Sequence, residues 1–119
     1  MPSPDDRAAL RDIEHSAGLI LELAAGTDEE SFLKDWVLTS AVERKMRIIG
    51  EAVNHLTPEF RQAHPAVNWR SWIDFRNILV HAYDHVDPPT VWEVVQEELE
   101  PLGTMALAWL DELIGESGS

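Results

Sequence analysis

Trp69-Arg70-Ser71-Trp72-Ile73-Asp74-Phe75-Arg76-Asn77-Ile78-Leu79-Val80-His81-Ala82-Tyr83 sets the fold class of this chain. At about 100° per residue it forms an amphipathic helix. With Arg76 placed at 0°, Trp69, Trp72, Ile73, Leu79, Val80 and Tyr83 all fall within about 60° of it. Arg70, Asp74, Asn77 and His81 lie roughly 100–160° round, on the polar side. A guanidinium in the middle of an apolar stripe is costly unless it is paired, or unless it lines an interface or a cavity. That placement alone marks the helix as a candidate site.

The neighbouring segments are helical too. Asn68 is the expected N-cap of the central helix, and Pro65 breaks the chain before it. Thr57-Pro58 opens a short helical turn through Phe60 to Ala63. Before that, a long helix is expected from about Trp36 to Leu56, with Leu38, Ala41 or Val42, Lys45 or Met46, Ile49, Ala52 or Val53, and Leu56 on its stripe. Gly50 inside it costs about 1 kcal/mol relative to Ala and suits a close approach between helices. Thr27-Asp28-Glu29-Glu30 reads as a capping box for a short helix ending at Lys34 or Asp35. The first helix opens at Ser3 and Pro4, with Asp5 and Asp6 at its positive end, and stops at Gly26. Leu10, Ile13, Ala17, Ile20 and Ala24 recur along it at helical spacing. Downstream, Asp87 with Pro88-Pro89 starts the last helix, which Pro101 is expected to kink or interrupt. The pattern predicts a single all-α domain over residues 1–119, an antiparallel four-helix bundle with one or two short extra helices.

Composition narrows the function classes. The chain has 119 residues, 45% of them hydrophobic, with five Trp and no Cys. That is enough for one packed core, and it excludes disulfide and thiolate chemistry. No apolar run reaches the length of a membrane span, and Met1-Pro2-Ser3-Pro4-Asp5-Asp6 lacks the parts of a signal peptide, so a cytoplasmic location is expected. The net charge of −13 has the wrong sign for a general electrostatic grip on nucleic acid. It is also uneven. All nine Lys and Arg lie in residues 1–76, and residues 77–119 carry only acids among their charged groups. This is either a solvated acidic face, or a half that repels RNA or docks a basic partner. Glu43, Arg44, Lys45 and Arg47 are either a solvated strip with i,i+4 pairing or the one basic strip able to contact phosphates.

Two residues of the central helix can carry chemistry. His81 is a candidate acid and base, since a histidine side chain can give and take protons at neutral pH. Arg76 can clamp a phosphate and stabilise charge that develops on it. On a straight helix the two point about 140° apart. Either the helix ends or distorts before His81, or a site is shared between two copies of the chain. His81 and His85, with Asp84 and Asp87 nearby, have a spacing that can bind a metal, but no H-E-x-x-H pattern is present and no metal is expected. Trp69, Trp72, Trp92 and Trp109 occupy stripe positions and are expected in the core.

Arg76-Asn77, then Ile78-Leu79-Val80, then His81-Ala82-Tyr83 resembles the R-x4-H-x-Y motif of HepT-like proteins in the HEPN superfamily of small helical ribonucleases. Ile48-Ile49-Gly50-Glu51-Ala52 upstream, and Val86-Asp87 with Val91-Trp92 downstream, resemble flanking segments of that family. The resemblance implies an HEPN-like helical fold and a metal-independent endoribonuclease toxin with no cofactor. RNA then supplies the 2′-hydroxyl as nucleophile, and Arg76 and His81 are the catalytic pair. Asn77 supports them by orienting the His or the phosphate. It further implies a homodimer whose motif helices meet at the two-fold axis. The implied partner is an MNT-domain nucleotidyltransferase antitoxin that transfers AMP to Tyr83. A reading of another class stands beside it: a non-catalytic helical dimer module that binds or scaffolds a nucleotidyltransferase. The charge of −13 favours the second, and the intact Arg76, His81 and Tyr83 favour the first.

Overall fold

The computed structural model describes residues 4–81 and 87–117, with side chains over 5–81 and 87–112. Tyr83 therefore lies outside the described residues, as do Asp84 and His85 of the candidate metal cluster. Every regular element among the described residues is helical. They are α1 (Pro4–Ala25), α2 (Glu29–Lys34), α3 (Trp36–His55), α4 (Pro58–Ala63), α5 (Trp69–His81), α6 (Pro88–Val94) and α7 (Glu100–Ser117). A π-helical turn, Val95–Leu99, joins the last two. The four long segments and two short extras are those expected from the spacing of apolar residues.

Local hydrogen bonds explain most boundaries. Asp28, not Thr27, caps α2: its side chain accepts from the Ser31 N–H at 2.8 Å, while the Thr27 hydroxyl donates to the Asp28 carbonyl. The expected capping box therefore does not form; a single cap falls one residue later, on Asp28, which has the extended backbone and the carboxylate that suit it. Asp35 serves two helices. Its N–H closes α2 on the Phe32 carbonyl, and its carboxylate accepts from the Leu38 N–H to start α3. The Thr57 hydroxyl caps α4 through the Phe60 N–H, and Asn68 caps α5 through the Ser71 N–H. Pro101 does interrupt the last helix, in a specific way. Its ring crowds the carbonyl four residues back, that of Glu97, and it donates no hydrogen bond. The π turn lies across Glu97 and absorbs this misfit, so the helix continues to Ser117.

Tertiary packing builds on these elements. α1 packs between α3 and α7, and α5 packs on α3. The buried Asp6 carboxylate, in the first turn of α1, accepts from the Thr57 N–H at 2.7 Å and from its hydroxyl at 2.9 Å. The start of α1 is thereby tied to the corner just after α3, so the two helices run antiparallel. On the other flank a Cβ on Gly103 would come 3.2 Å from the Ala17 Cβ, so α7 approaches α1 closely there. Buried apolar residues form one cluster running from Ala9 to Leu110. Phe60, Trp69 and Trp109 close one end of the bundle, with Phe60 and Trp69 centred 5.3 and 5.8 Å from Trp109. Phe32 and Trp92 meet elsewhere at 4.9 Å. Trp69, Trp72 and Trp109 are buried and Trp92 packs partly buried against the cluster, as expected; Trp36 is 70% exposed. Among the described residues, no helix is long and apolar enough to cross a membrane.

Candidate active site

Arg76 sits where its helical phase puts it, on the buried side of α5, and its charge is met across the contact with α3. Glu51 Oε1 accepts from Arg76 Nε at 2.7 Å and lies 2.6 Å from Nη2. Arg76 Nη1 donates to Asn77 Oδ1 at 2.9 Å. Of the alternatives open for a guanidinium on an apolar stripe, pairing is met within the chain itself. A guanidinium has five N–H groups, and these contacts engage three. Among the described residues two stay unengaged and could meet a ligand, and the Arg76 side chain is 26% exposed.

Gly50 makes this arrangement possible. A Cβ at that position would overlap the Arg76 Cβ and lie 2.9 Å from its Cγ. The stem of Arg76 therefore crosses α3 where α3 has no side chain, and its head reaches the next residue, Glu51. The close approach anticipated at Gly50 is real, and Arg76 is what approaches.

His81 is exposed and closes the described part of α5. That helix is regular through His81, so no distortion turns the imidazole toward Arg76. Five residues separate the two, about 7.5 Å along the axis and about 140° around it. Within one chain the fold brings Asn77 to Arg76 but does not bring His81 to the same face. Asn77 and His81 instead share the polar face with Arg70 and Asp74, which pair at 3.2 Å.

A groove of about 950 Å³ lies beside the Glu51 side of this site, between α1 and α3 with Leu79 of α5 at its edge. Arg44 and Arg47 of the charged strip line it, but so do Asp5, Asp12, Glu43 and Glu51. Its carboxylates outnumber its guanidiniums, which makes it a poor track for a phosphate chain. Among the described residues, no group of three His, Asp or Glu side chains is placed to hold a metal ion.

The sequence profile of the family described as Ribonuclease HepT-like matches residues 13–107. The chain belongs to the HepT-like ribonuclease family. It is 34% identical to a Methanocaldococcus jannaschii protein provisionally named an RNase, over 83% of this chain and 91% of that one. A similarly named Caldanaerobacter subterraneus protein is 38% identical over 81% of this chain and 86% of its own length. A Thermococcus cleftensis protein provisionally named ribonuclease HepT is 37% identical over 78% of this chain and 84% of that one. No solved structure matches the chain. The HepT-like match runs from within α1 to within α7, so it spans Gly50, Glu51, Arg76, Asn77 and His81 together. Glu51 is the site residue that sequence reasoning passed over. Its signal was an acid beside a helix-internal glycine, but only the docking of α5 reveals the partner.

Proposed function

We propose that this HepT-like chain is a metal-independent endoribonuclease that works as a two-fold dimer, with Arg76 as phosphate clamp and His81 as acid and base. The observation that carries this is the fixed Arg76 guanidinium, held by Glu51 and Asn77 with two N–H groups to spare, on the same helix as an exposed His81. A positioned cation of this kind stabilises charge that grows on a phosphoryl group during in-line attack. The regular course of α5 favours a site shared between protomers, since one protomer alone presents the two residues on different faces.

The reaction needs little else. The RNA 2′-hydroxyl oxygen attacks the adjacent phosphorus, and its proton passes to a neutral His81. The bond from phosphorus to the 5′-oxygen breaks, and that oxygen takes a proton from the other protomer's imidazolium. The products are a 2′,3′-cyclic phosphate and a 5′-hydroxyl, with no water or metal consumed. Control is assigned to Tyr83. A partner nucleotidyltransferase antitoxin places AMP on its hydroxyl, and the added anionic bulk excludes substrate, which makes the chain the toxin of a toxin–antitoxin pair. The net charge of −13 favours one other reading, a non-catalytic module that scaffolds the nucleotidyltransferase.

Cleavage of RNA in the presence of EDTA separates the two readings. Wild type is expected to cut and leave cyclic phosphate ends, while Arg76→Ala and His81→Ala lose at least about 100-fold in rate with the fold intact by circular dichroism. Equal activity in all three proteins removes both residues from the chemistry.

A further inference from the structure

A second concavity, of about 480 Å³, opens between α4 and α5 on the polar side of α5. Arg61 and Gln62 of α4 line one wall, and Arg70, Ile73, Asp74 and Asn77 of α5 line the other. Two guanidiniums face one carboxylate, so this pocket is net positive in a chain of charge −13. The larger groove beside Glu51 has the opposite balance.

The two arginines are not equivalent. Arg70 is paired with Asp74. Among the described residues Arg61 forms no ion pair, and its buried Nε has no hydrogen-bond partner. The Arg61 guanidinium thus lacks a counter-charge among the described residues, and an anionic ligand in the pocket it lines would supply one. The amides have capacity as well. Asn77 Oδ1 accepts from Arg76, which leaves its two N–H groups, and Gln62 is exposed. Arg70, Asp74, Asn77 and His81 follow one another at steps of four, three and four residues, one continuous face of α5. Asn77 is one turn, about 6 Å, from His81 along that face. The pocket thus adjoins the candidate catalytic residues on the side where His81 is exposed.

We infer that this pocket is a substrate subsite that takes the nucleotide unit next to the cleaved bond of a single-stranded RNA. Arg61 holds a phosphate, and the Gln62 and Asn77 amides meet the edge of a base, as side-chain amides do. Ile73 supplies the apolar wall. The inference rests on the ribonuclease reading, and it adds the direction in which the strand leaves the catalytic residues, along α5 toward α4.

The test is binding of a labelled 2′-O-methyl RNA strand, which lacks the nucleophile and cannot be cut, followed by fluorescence anisotropy over a range of KCl concentrations. The proteins are wild type, Arg61→Gln, Gln62→Glu and Lys34→Gln, with cleavage of unmodified RNA measured in parallel. Arg61→Gln is expected to bind about five- to tenfold more weakly and to lower the slope of log K against log salt by about one, as loss of one phosphate contact does. Gln62→Glu changes an exposed side chain that the fold does not need, and sets a carboxylate against the phosphate; it should weaken binding comparably with an unchanged melting temperature. Lys34→Gln removes the same charge from an exposed i,i+4 pair on α2 and should match wild type. If Arg61→Gln and Gln62→Glu bind as wild type does while cleavage persists, the subsite is wrong and the ribonuclease reading stands. If wild type neither binds nor cleaves RNA, the ribonuclease reading fails and the subsite falls with it.

Discussion

Arg76 keeps its charge on an apolar stripe because two neighbours on α3 divide the task. Glu51 supplies the counter-charge, and Gly50 supplies the absence of a Cβ that lets the arginine stem pass. Ala at position 50 gains about 1 kcal/mol of helix propensity but forces overlap with the Arg76 stem, a kind of overpacking that costs about 1–3 kcal/mol. Gly50→Ala should therefore lower the urea midpoint and reduce cleavage together. Gly18 is the control, since a Cβ there meets nothing within 4 Å, and Gly18→Ala should raise the midpoint. A Gly50→Ala protein as stable as wild type, with full activity, would refute the packing argument. Tyr83 carries a separate expectation. Tyr83→Phe keeps the aromatic body and should keep ribonuclease activity, since the proposed chemistry makes no use of the hydroxyl. On the proposed control through Tyr83, incubation with a nucleotidyltransferase antitoxin and ATP should add AMP mass to wild type only. Equal silencing of both proteins would mean that such an antitoxin acts by binding alone.

At the scale of elements, caps and turns were written in the sequence, and one turn carries a pH signature. Asn68 and Thr57 cap the helices they were expected to start, because capping is a contact over two or three residues; Asp87 stands at the start of α6 as expected, but its carboxylate accepts from the Thr90 hydroxyl and caps no backbone N–H. The π turn was legible only as the disturbance due to Pro101. Glu98 sits on it, and partial desolvation, followed by the charges of Glu97 and Glu93, pushes its carboxyl above the usual 4.5. The folded chain therefore holds this proton more tightly than the unfolded chain. Ionised Glu98 opposes folding at neutral pH, and the penalty fades as pH falls through the raised value and below 4.5. Glu98→Gln should raise the melting temperature at pH 7, with the gain shrinking to nothing at about pH 4. A gain that is the same at both pH values would mean that charge is not its cause. Asp28 has the opposite sign. The Ser31 N–H on its carboxylate lowers its pKa, so the stability it adds is present above 3.8 and lost as pH falls through the lowered value.

Across the whole molecule, the chain puts its acids and its basic groups in different places. With no Lys or Arg after Arg76, the last third of the chain repels a phosphate strand, and binding has to be local. The α4–α5 pocket is one such local reversal of sign. Assembly is the other expectation at this scale. Light scattering at micromolar concentration should give twice the chain mass, and weakening the dimer by dilution should abolish cleavage. A fully active monomer would mean that Arg76 and His81 do not act as a shared pair. By itself the sequence determined the helices, most of their caps, the interruption near Pro101, the apolar stripes and the odd placement of Arg76. All of these follow from contacts and periodicities three to seven residues long. Only the tertiary structure decided that Glu51, 25 residues away, answers Arg76, and that Asp6 ties down Thr57 across 51 residues. It alone opened the pocket between α4 and α5. Those outcomes depend on the angle and depth at which one helix face docks on another, and that docking is set by how side chains from distant segments fill space together.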